Sequence, residues 1–189
     1  MKVLRADQYA TVPWRNGGGT TREIAICQDP QRHDDFLWRL SIASVTRSGP
    51  FSRFCGVDRT ITLISGDPMV LRTPTQVVNL LVDAPPFTFD GEVEISCELL
   101  GQPAIDLNVM TRRSFFQHTV RRERFIGWTT VKGSADNTMV VSNGFLELSA
   151  GGRDSLRPLD AIADISPGST LELHADCGAE IFLVELMSR

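Results

Sequence analysis

Apolar and polar residues alternate along most of this chain, and such alternation is typical of β-strands with one buried face. The cleanest example covers residues 36–43. One face of that predicted strand carries Arg39, Ser41 and Ala43, and the other carries the large apolar residues. No segment keeps a sustained 3.6-residue period, so any helix is expected to be short. The pattern therefore predicts an all-β protein.

A glycine-bounded hairpin, residues 49–66, is the segment around which we expect the site to form. It reads as a strand, a tight corner and a second strand, with Arg59, Ile61 and Leu63 sharing one face of the second strand. A guanidinium stays protonated at physiological pH and offers only hydrogen-bond donors. A pocket built around Arg59 should therefore attract a carboxylate or another anion and repel a metal ion.

Other polar side chains occupy single faces of predicted strands. Thr21 and Glu23 share a face of one strand, and Asp106, Asn108 and Met110 share a face of another. The amide of Asn108 both donates and accepts, which suits a carboxylate beside an amide or formyl group.

Two interpretations of Arg39 stay open at this point. It could face solvent on an edge strand, or it could face the interior beside Glu23, where Ser41 and Ala43 leave room for a ligand.

Three consecutive glycines, Gly17 to Gly19, invite comparison with a phosphate-binding loop. Such a loop needs a helix after it, whereas residues 20–26 alternate like a strand. A backbone bulge or a close approach of backbone or ligand is the favoured interpretation.

Charge and composition narrow the function classes. The 189 residues have a net charge of -4 and a pI near 5.4, which argues against a nucleic-acid or anionic-membrane surface. A cluster of arginines is expected to be a solvated edge-strand face: Arg112, Arg113, Arg121, Arg122 and Arg124.

The four cysteines lack close pairing and are expected to be buried free thiols rather than disulfides. Neither a signal peptide nor a membrane-spanning apolar run is recognisable, so a cytoplasmic location is expected. His33, His118 and His174 lie outside the pocket segments and are expected to be ordinary surface or barrel-face residues.

The last third repeats the same pattern. Asn143-Gly144 between two apolar runs predicts a tight hairpin. Gly144 follows Asn137 by seven residues, as Gly66 follows Arg59, and this echo suggests two stacked barrels. The expected domains are residues 1–113, with the ligand pocket, and 114–189, with strands exchanged between them.

Residues 49–66 resemble the first motif of the cupin barrels, with Cys55 and Val57 where metal-ligating histidines would stand and Arg59 in place of a glutamate. Three segments, PWRNGGGTTREIA, WRLSIASVTRSGPFSRFCGVDRTITLISG and DLNVMTRR, resemble the HutD/Ves family of bicupins. That resemblance implies two cupin-like β-barrels in one chain and no catalytic metal. Its motif positions are Asn16, Thr21, Glu23, Arg39, Arg59 and Asn108.

For HutD-type members the resemblance implies a link to histidine utilisation and a regulatory role through binding N-formylglutamate. For Ves-type members it implies cold and stress responses, and the motifs do not decide between the two.

Two main function hypotheses follow. The first is a metal-independent binding protein for a small acidic, acylated metabolite, and the second is a metal-free isomerase or hydrolase that uses Glu23 as base. A protein-interaction module is a third. No cofactor and no metal are predicted, and monomer and homodimer both stay open. The predicted ligand-binding residues are Asn16, Thr21, Glu23, Arg39, Ser41, Arg59, Asn108 and Met110.

Overall fold

The computed structural model describes residues 1–148 and 154–189, and the side chains of all of these except His33 and Asp34. This part of the chain forms strands and one 3₁₀-helix, Ala6–Gln8. In chain order the strands are β1 (Lys2–Leu4), β2 (Ala10–Pro13), β3 (Gly19–Asp29), β4 (Arg32–Val45), β5 (Gly49–Pro50), β6 (Val57–Ser65), β7 (Met69–Arg72), β8 (Val77–Leu80), β9 (Phe87–Asp90), β10 (Ser96–Leu99), β11 (Ala104–Arg112), β12 (Phe116–Lys132), β13 (Asn137–Ser142), β14 (Leu146–Leu148), β15 (Ser155–Leu156), β16 (Ala161–Ile165) and β17 (Thr170–Ser188). The all-β prediction is confirmed. No helix among these residues has the length and hydrophobicity needed to cross a bilayer.

The chain divides into two compact units, Ala10–Phe116 and Met1–Tyr9 together with Gln117–Arg189. The first nine residues thus lie with the C-terminal unit rather than within an N-terminal domain of residues 1–113. They are held there because β1 pairs antiparallel with β16. In addition, the buried Asp160 carboxylate accepts hydrogen bonds from the Ala6 N–H and the Arg5 guanidinium.

The N-terminal unit contains two antiparallel sheets. The six-stranded sheet has the order β2-β3-β4-β11-β6-β9, and the four-stranded sheet has the order β5-β10-β7-β8. Apolar side chains from both sheets form one buried cluster, in which Leu63 of β6 and Leu71 of β7 are fully buried. This burial supplies the main stabilising free energy of the unit.

Strand register in the six-stranded sheet brings the predicted polar faces together. Across β4, β11 and β6, Arg39 lies opposite Met110, which lies opposite Arg59. The next row contains Ser41 opposite Asn108. Because side chains two residues apart on one strand share a face, these rows lie on a single face of the sheet.

The C-terminal unit is built on a seven-stranded sheet, in which β1-β16-β13-β17-β14-β15 are consecutive and β12 also pairs with β17. The predicted Asn143-Gly144 hairpin is wrong, because β13 and β14 each pair with β17 rather than with each other. The Asn143 N–H donates to Glu180 O. A β-carbon on Gly144 would lie 2.9 Å from the Ala179 Cβ, so this glycine allows close packing instead of a tight turn.

The arginine cluster is not a uniformly solvated face. Three of its guanidiniums donate hydrogen bonds to carboxylates: Arg112 to Asp35, Arg113 to Asp58, and Arg124 to Glu180. The prediction of solvation is wrong for Arg122, whose side chain is only 9% exposed and stacks over the Phe182 ring.

All four cysteines are free thiols, as expected, but burial holds only for Cys97. Cys55 and Cys177 are exposed, because Cys55 lies in a surface turn and Cys177 lies on an outward position of β17.

His174 contacts the exposed Trp128 in a tilted arrangement, with 4.7 Å between ring centroids.

Candidate ligand-binding site

A cavity of about 690 Å³ lies in the N-terminal unit, over the polar face of the six-stranded sheet. Side chains of β4, β6 and β11 form its floor. Two segments, residues 12–16 and 50–54, form its rim. The charged residues that line it are Arg15, Arg39, Arg53, Arg59 and Asp106. Four guanidiniums and one carboxyl make this a cationic cavity.

Arg59 is 5% exposed and is surrounded by aromatic rings. Its guanidinium carbon lies 5.1 Å from the ring centroid of Phe89, 5.4 Å from Phe54 and 5.8 Å from Phe51. One terminal nitrogen donates to Ser52 O at 3.0 Å, while Nε has no hydrogen-bond partner in the described part of the chain. Burial lowers the pKa of Arg59 to about 10, so the group stays charged at neutral pH.

Arg39 has a similar environment. Its guanidinium carbon lies 5.1 Å from the ring centroid of Phe36 and 5.7 Å from that of Phe54, so Phe54 contacts both cations. Burial lowers the pKa of Arg39, and the nearby Glu23 carboxylate partly offsets this. Among the described side chains, no carboxylate oxygen lies within ion-pair distance of either guanidinium.

Asp106 lies on the floor and is 1% exposed. Neither carboxyl oxygen has a hydrogen-bond partner among the described residues. Burial raises the pKa of Asp106 to about 7, although the charge of Arg59 acts in the opposite direction. The side-chain oxygen of the neighbouring Asn108 is likewise buried without a donor in this part of the chain.

The rim is organised by the glycine-rich segment. Trp14 Nε1 donates to Thr21 Oγ1 at 2.8 Å, and Asn16 Oδ1 accepts from the Gly18 N–H at 2.9 Å. A β-carbon on Gly19 would lie 2.3 Å from Ser44 O, so only glycine allows this close backbone approach. Strand β3 begins at Gly19 and no helix follows, which agrees with the β-like interpretation of the three glycines.

Six of the eight predicted site residues line the cavity: Asn16, Thr21, Arg39, Ser41, Arg59 and Asn108. Arg39 thus faces inward, and the edge-strand alternative is wrong. Glu23 and Met110 do not line the cavity. Met110 is fully buried between Arg39 and Arg59 in the register, and its sulfur accepts a hydrogen bond from Arg39 at 3.3 Å, so it helps to position a lining residue. Ligand binding by these residues stays a prediction.

Several lining residues were missed at the sequence level. Asp106 lies on the same face of its predicted strand as Asn108 and Met110, and that pattern could have identified it. Phe51, Arg53 and Phe54 lie in the loop before β6, where no periodicity indicates direction.

The residues at the positions of the cupin metal ligands do not fit a metal site. Val57 is 1% exposed in an apolar cluster with Phe36 and Met110, and Cys55 lies at the surface. No group of three or more His, Cys, Asp or Glu side chains within the described ranges could hold a metal ion. The position expected for a metal-ligating glutamate carries the Arg59 guanidinium, which can only donate.

Comparisons with known proteins place these features in context. The HutD family model matches residues 6–182. An uncharacterised 21.2 kDa protein from the hutC 3' region of Pseudomonas putida is 36% identical over 83% of this chain and 82% of its own length. Protein Ves of Citrobacter koseri is 45% identical over 57% of this chain and 56% of its own length.

Solved structures show the same fold. HutD from Pseudomonas fluorescens superposes with a TM-score of 0.81 and 30% identity, covering 100% of this chain and 98% of that one. A cupin 2 conserved barrel domain protein from Leptotrichia buccalis gives a TM-score of 0.62 at 7% identity, over 100% of this chain and 96% of that one. The latter likeness concerns the fold alone.

Proposed function

Because the chain belongs to the HutD family, which includes the Ves-type relatives, we propose that it is a small-molecule-binding protein for an acidic, acylated amino acid. N-formylglutamate is the ligand proposed, and histidine utilisation is the process in which the protein would sense or buffer it. One observation carries this proposal: Arg39 and Arg59 line the same cavity, caged by aromatic rings and without a carboxylate ion-pair partner in the described part of the chain.

The size and charge of the cavity suit such a ligand. A volume of about 690 Å³ falls within the range typical of small-molecule sites. Charge-assisted hydrogen bonds shielded from water contribute about 1.5 to 3 kcal/mol each. Two carboxylate clamps with two such bonds each contribute about 6 to 12 kcal/mol before the entropic cost of association, which is at least about 4 kcal/mol. The dissociation constant should therefore be no tighter than about micromolar.

Each part of the ligand has a proposed partner. Arg39 and Arg59 take the two carboxylates, and the amide of Asn108 donates to the formyl oxygen. Free glutamate carries an ammonium in place of the formamide. That extra cation would be repelled by two buried guanidiniums, so glutamate should bind more weakly.

The arrangement favours binding over catalysis. Among the side chains that the structure describes, no histidine or cysteine lines the cavity. Glu23, the base in the enzymatic alternative, does not line it either. Covalent catalysis needs an activated nucleophile beside a base, and general acid–base catalysis needs a base within reach of the ligand.

Thermal unfolding with and without ligand tests the proposal. A ligand that binds only the native state adds about 2.7 kcal/mol at one hundred times its dissociation constant, which should raise the melting temperature by about 5 to 10 °C. Glutamate at the same concentration should give a much smaller shift.

The Arg59→Met variant should fold but lose the ligand-induced shift. Arg72→Met is a matched control in the same unit, because Arg72 forms a solvent-exposed ion pair with Glu98 and lies outside the cavity. Its shift should match that of the wild type. No shift with any acylated dicarboxylate, or an unchanged shift in Arg59→Met, would contradict the proposal.

Proton NMR of the same mixture separates binding from turnover. The formyl signal should stay intact over a day. Release of formate in proportion to protein concentration, and its loss in Glu23→Gln, would instead show that the cavity is an active site.

A further inference from the structure

The floor of the cavity contains buried hydrogen-bond acceptors that have no donor within the described part of the chain. Both carboxyl oxygens of Asp106 and the side-chain oxygen of Asn108 are buried, and none has a donor among the described residues. Buried acceptors in native proteins nearly always have a donor, which is protein, water or ligand. These three oxygens therefore mark a place where something outside the chain donates.

The register explains why the neighbouring strands supply no donor there. Asp106 lies opposite Ala43 on β4 and opposite Leu63 on β6, and neither side chain can donate a hydrogen bond. Arg59, four residues before Leu63 on β6, interacts with Asp106 through its charge. Its guanidinium donates to Ser52 O, and neither Asp106 oxygen accepts a hydrogen bond from it.

We propose that Asp106 forms a donor-recognising subsite, which accepts a hydrogen bond from an N–H group of the bound ligand. This inference rests on the proposed function and narrows its ligand class. The ligand is an N-acylated amino dicarboxylate, whose amide N–H lies beside a carboxylate, rather than a plain dicarboxylic acid. Asp106 is thus a specificity-determining residue that complements Arg39 and Arg59.

Charge balance favours a neutral amide N–H over an ammonium. The charged group that acts on the Asp106 carboxyl is Arg59 on β6, and Arg39 acts on Arg59 in turn. Burial and the Asp106 charge raise the pKa of the Cys97 thiol on β10, so this thiol adds no charge beside Asp106 at neutral pH. Arg59 already partly balances a negative charge on Asp106. An ammonium would add a third cation near two guanidiniums, whereas an amide N–H supplies the missing donor without added charge.

Isothermal titration calorimetry with two ligands of the same shape tests the subsite. N-formylglutamate carries the N–H, and the freshly prepared formate ester of 2-hydroxyglutarate carries an oxygen at that position. At about pH 8, where the Asp106 carboxyl is mainly ionised, the wild type should bind the amide at least about 10-fold more tightly. The ester places lone pairs against the carboxylate and leaves it unsatisfied.

Two variants isolate Asp106 from general damage to the cavity. In Asp106→Leu, which has no acceptor, the preference for the amide over the ester should fall below about 3-fold. In Asp106→Asn, which retains one acceptor oxygen and the shape of the native side chain, the preference should be intermediate. The shape of Asn also keeps the test valid if the leucine variant fails to fold.

Each outcome decides a different point. Equal binding of both ligands by the wild type, or an undiminished preference in Asp106→Leu or in Asp106→Asn, would overturn the subsite and leave the proposed function standing. Failure of both ligands to bind the wild type would overturn the proposed function and this inference with it.

Discussion

Replacing Asp106 with asparagine should change the pH dependence of stability in a defined direction. Burial raises the pKa of Asp106 from 3.8 to about 7 in the folded protein. Between those pH values the folded protein holds a proton that the unfolded chain has released. The free energy of unfolding therefore falls as the pH rises from about 4 to 7 and is level above that, with a total loss of about 4 kcal/mol.

Asparagine does not titrate, so Asp106→Asn should not show this loss. Relative to the wild type, the variant should gain about 2 to 3 kcal/mol of unfolding free energy between about pH 5 and about pH 8. Urea denaturation at a series of pH values, analysed with one m-value for both proteins, measures this gain. The replacement keeps the side-chain shape, so packing changes contribute little to the difference.

Glu94→Gln serves as the control, because Glu94 is exposed in the same unit. Its unfolding free energy should run parallel to that of the wild type across the pH range. A constant difference between Asp106→Asn and the wild type would refute the reasoning, since it would mean that the carboxyl is not desolvated in the folded protein. A relative gain that shrinks rather than grows as the pH rises from about 5 to about 8 would refute it as well.

Three further predictions concern the fold and the metal content. Gly66→Ala should lower the unfolding free energy by about 2 to 5 kcal/mol in urea denaturation. The reason is that Gly66 has φ +97° and a β-carbon there would lie 2.2 Å from Pro103 O. Gly49→Ala is the control and should have little effect, because the space around its β-carbon is open. Asp160→Ala should lower the unfolding free energy in the same assay by about 2 to 4 kcal/mol, because it leaves N–H donors of the N-terminal segment unpaired. Asp7→Ala is the control: it removes an exposed ion pair and should lower the unfolding free energy by less than about 1 kcal/mol. The purified protein should contain no stoichiometric metal, and elemental analysis showing zinc, iron, nickel or manganese at one per chain would contradict this prediction.

The faces of individual strands followed from local pattern. Alternation alone assigned Arg39 and Ser41 to one face of β4, Arg59 to one face of β6 and Asn108 to one face of β11, and all four line the cavity. Whether the face with Arg39 pointed inward stayed open until the neighbours of β4 were known. A strand has a side-chain period of two, so one apolar position determines the direction of its neighbours. The positively charged, anion-seeking character of the site could therefore be predicted before any strand was paired.

Which strands become neighbours was decided only by tertiary structure. The Asp106 carboxyl lacks a hydrogen-bond donor among the described residues because register places it opposite Ala43 and Leu63. Register depends on packing between segments distant in the chain. Phe54 contacts both guanidiniums from a loop, where no periodic signal exists. At Asn143 and Gly144 the local pattern led to a wrong prediction. The two residues favour a tight hairpin, but the flanking strands β13 and β14 both pair with the long strand β17 instead of with each other. Local sequence sets the direction of a side chain, whereas its partners depend on contacts that form only when the whole sheet assembles.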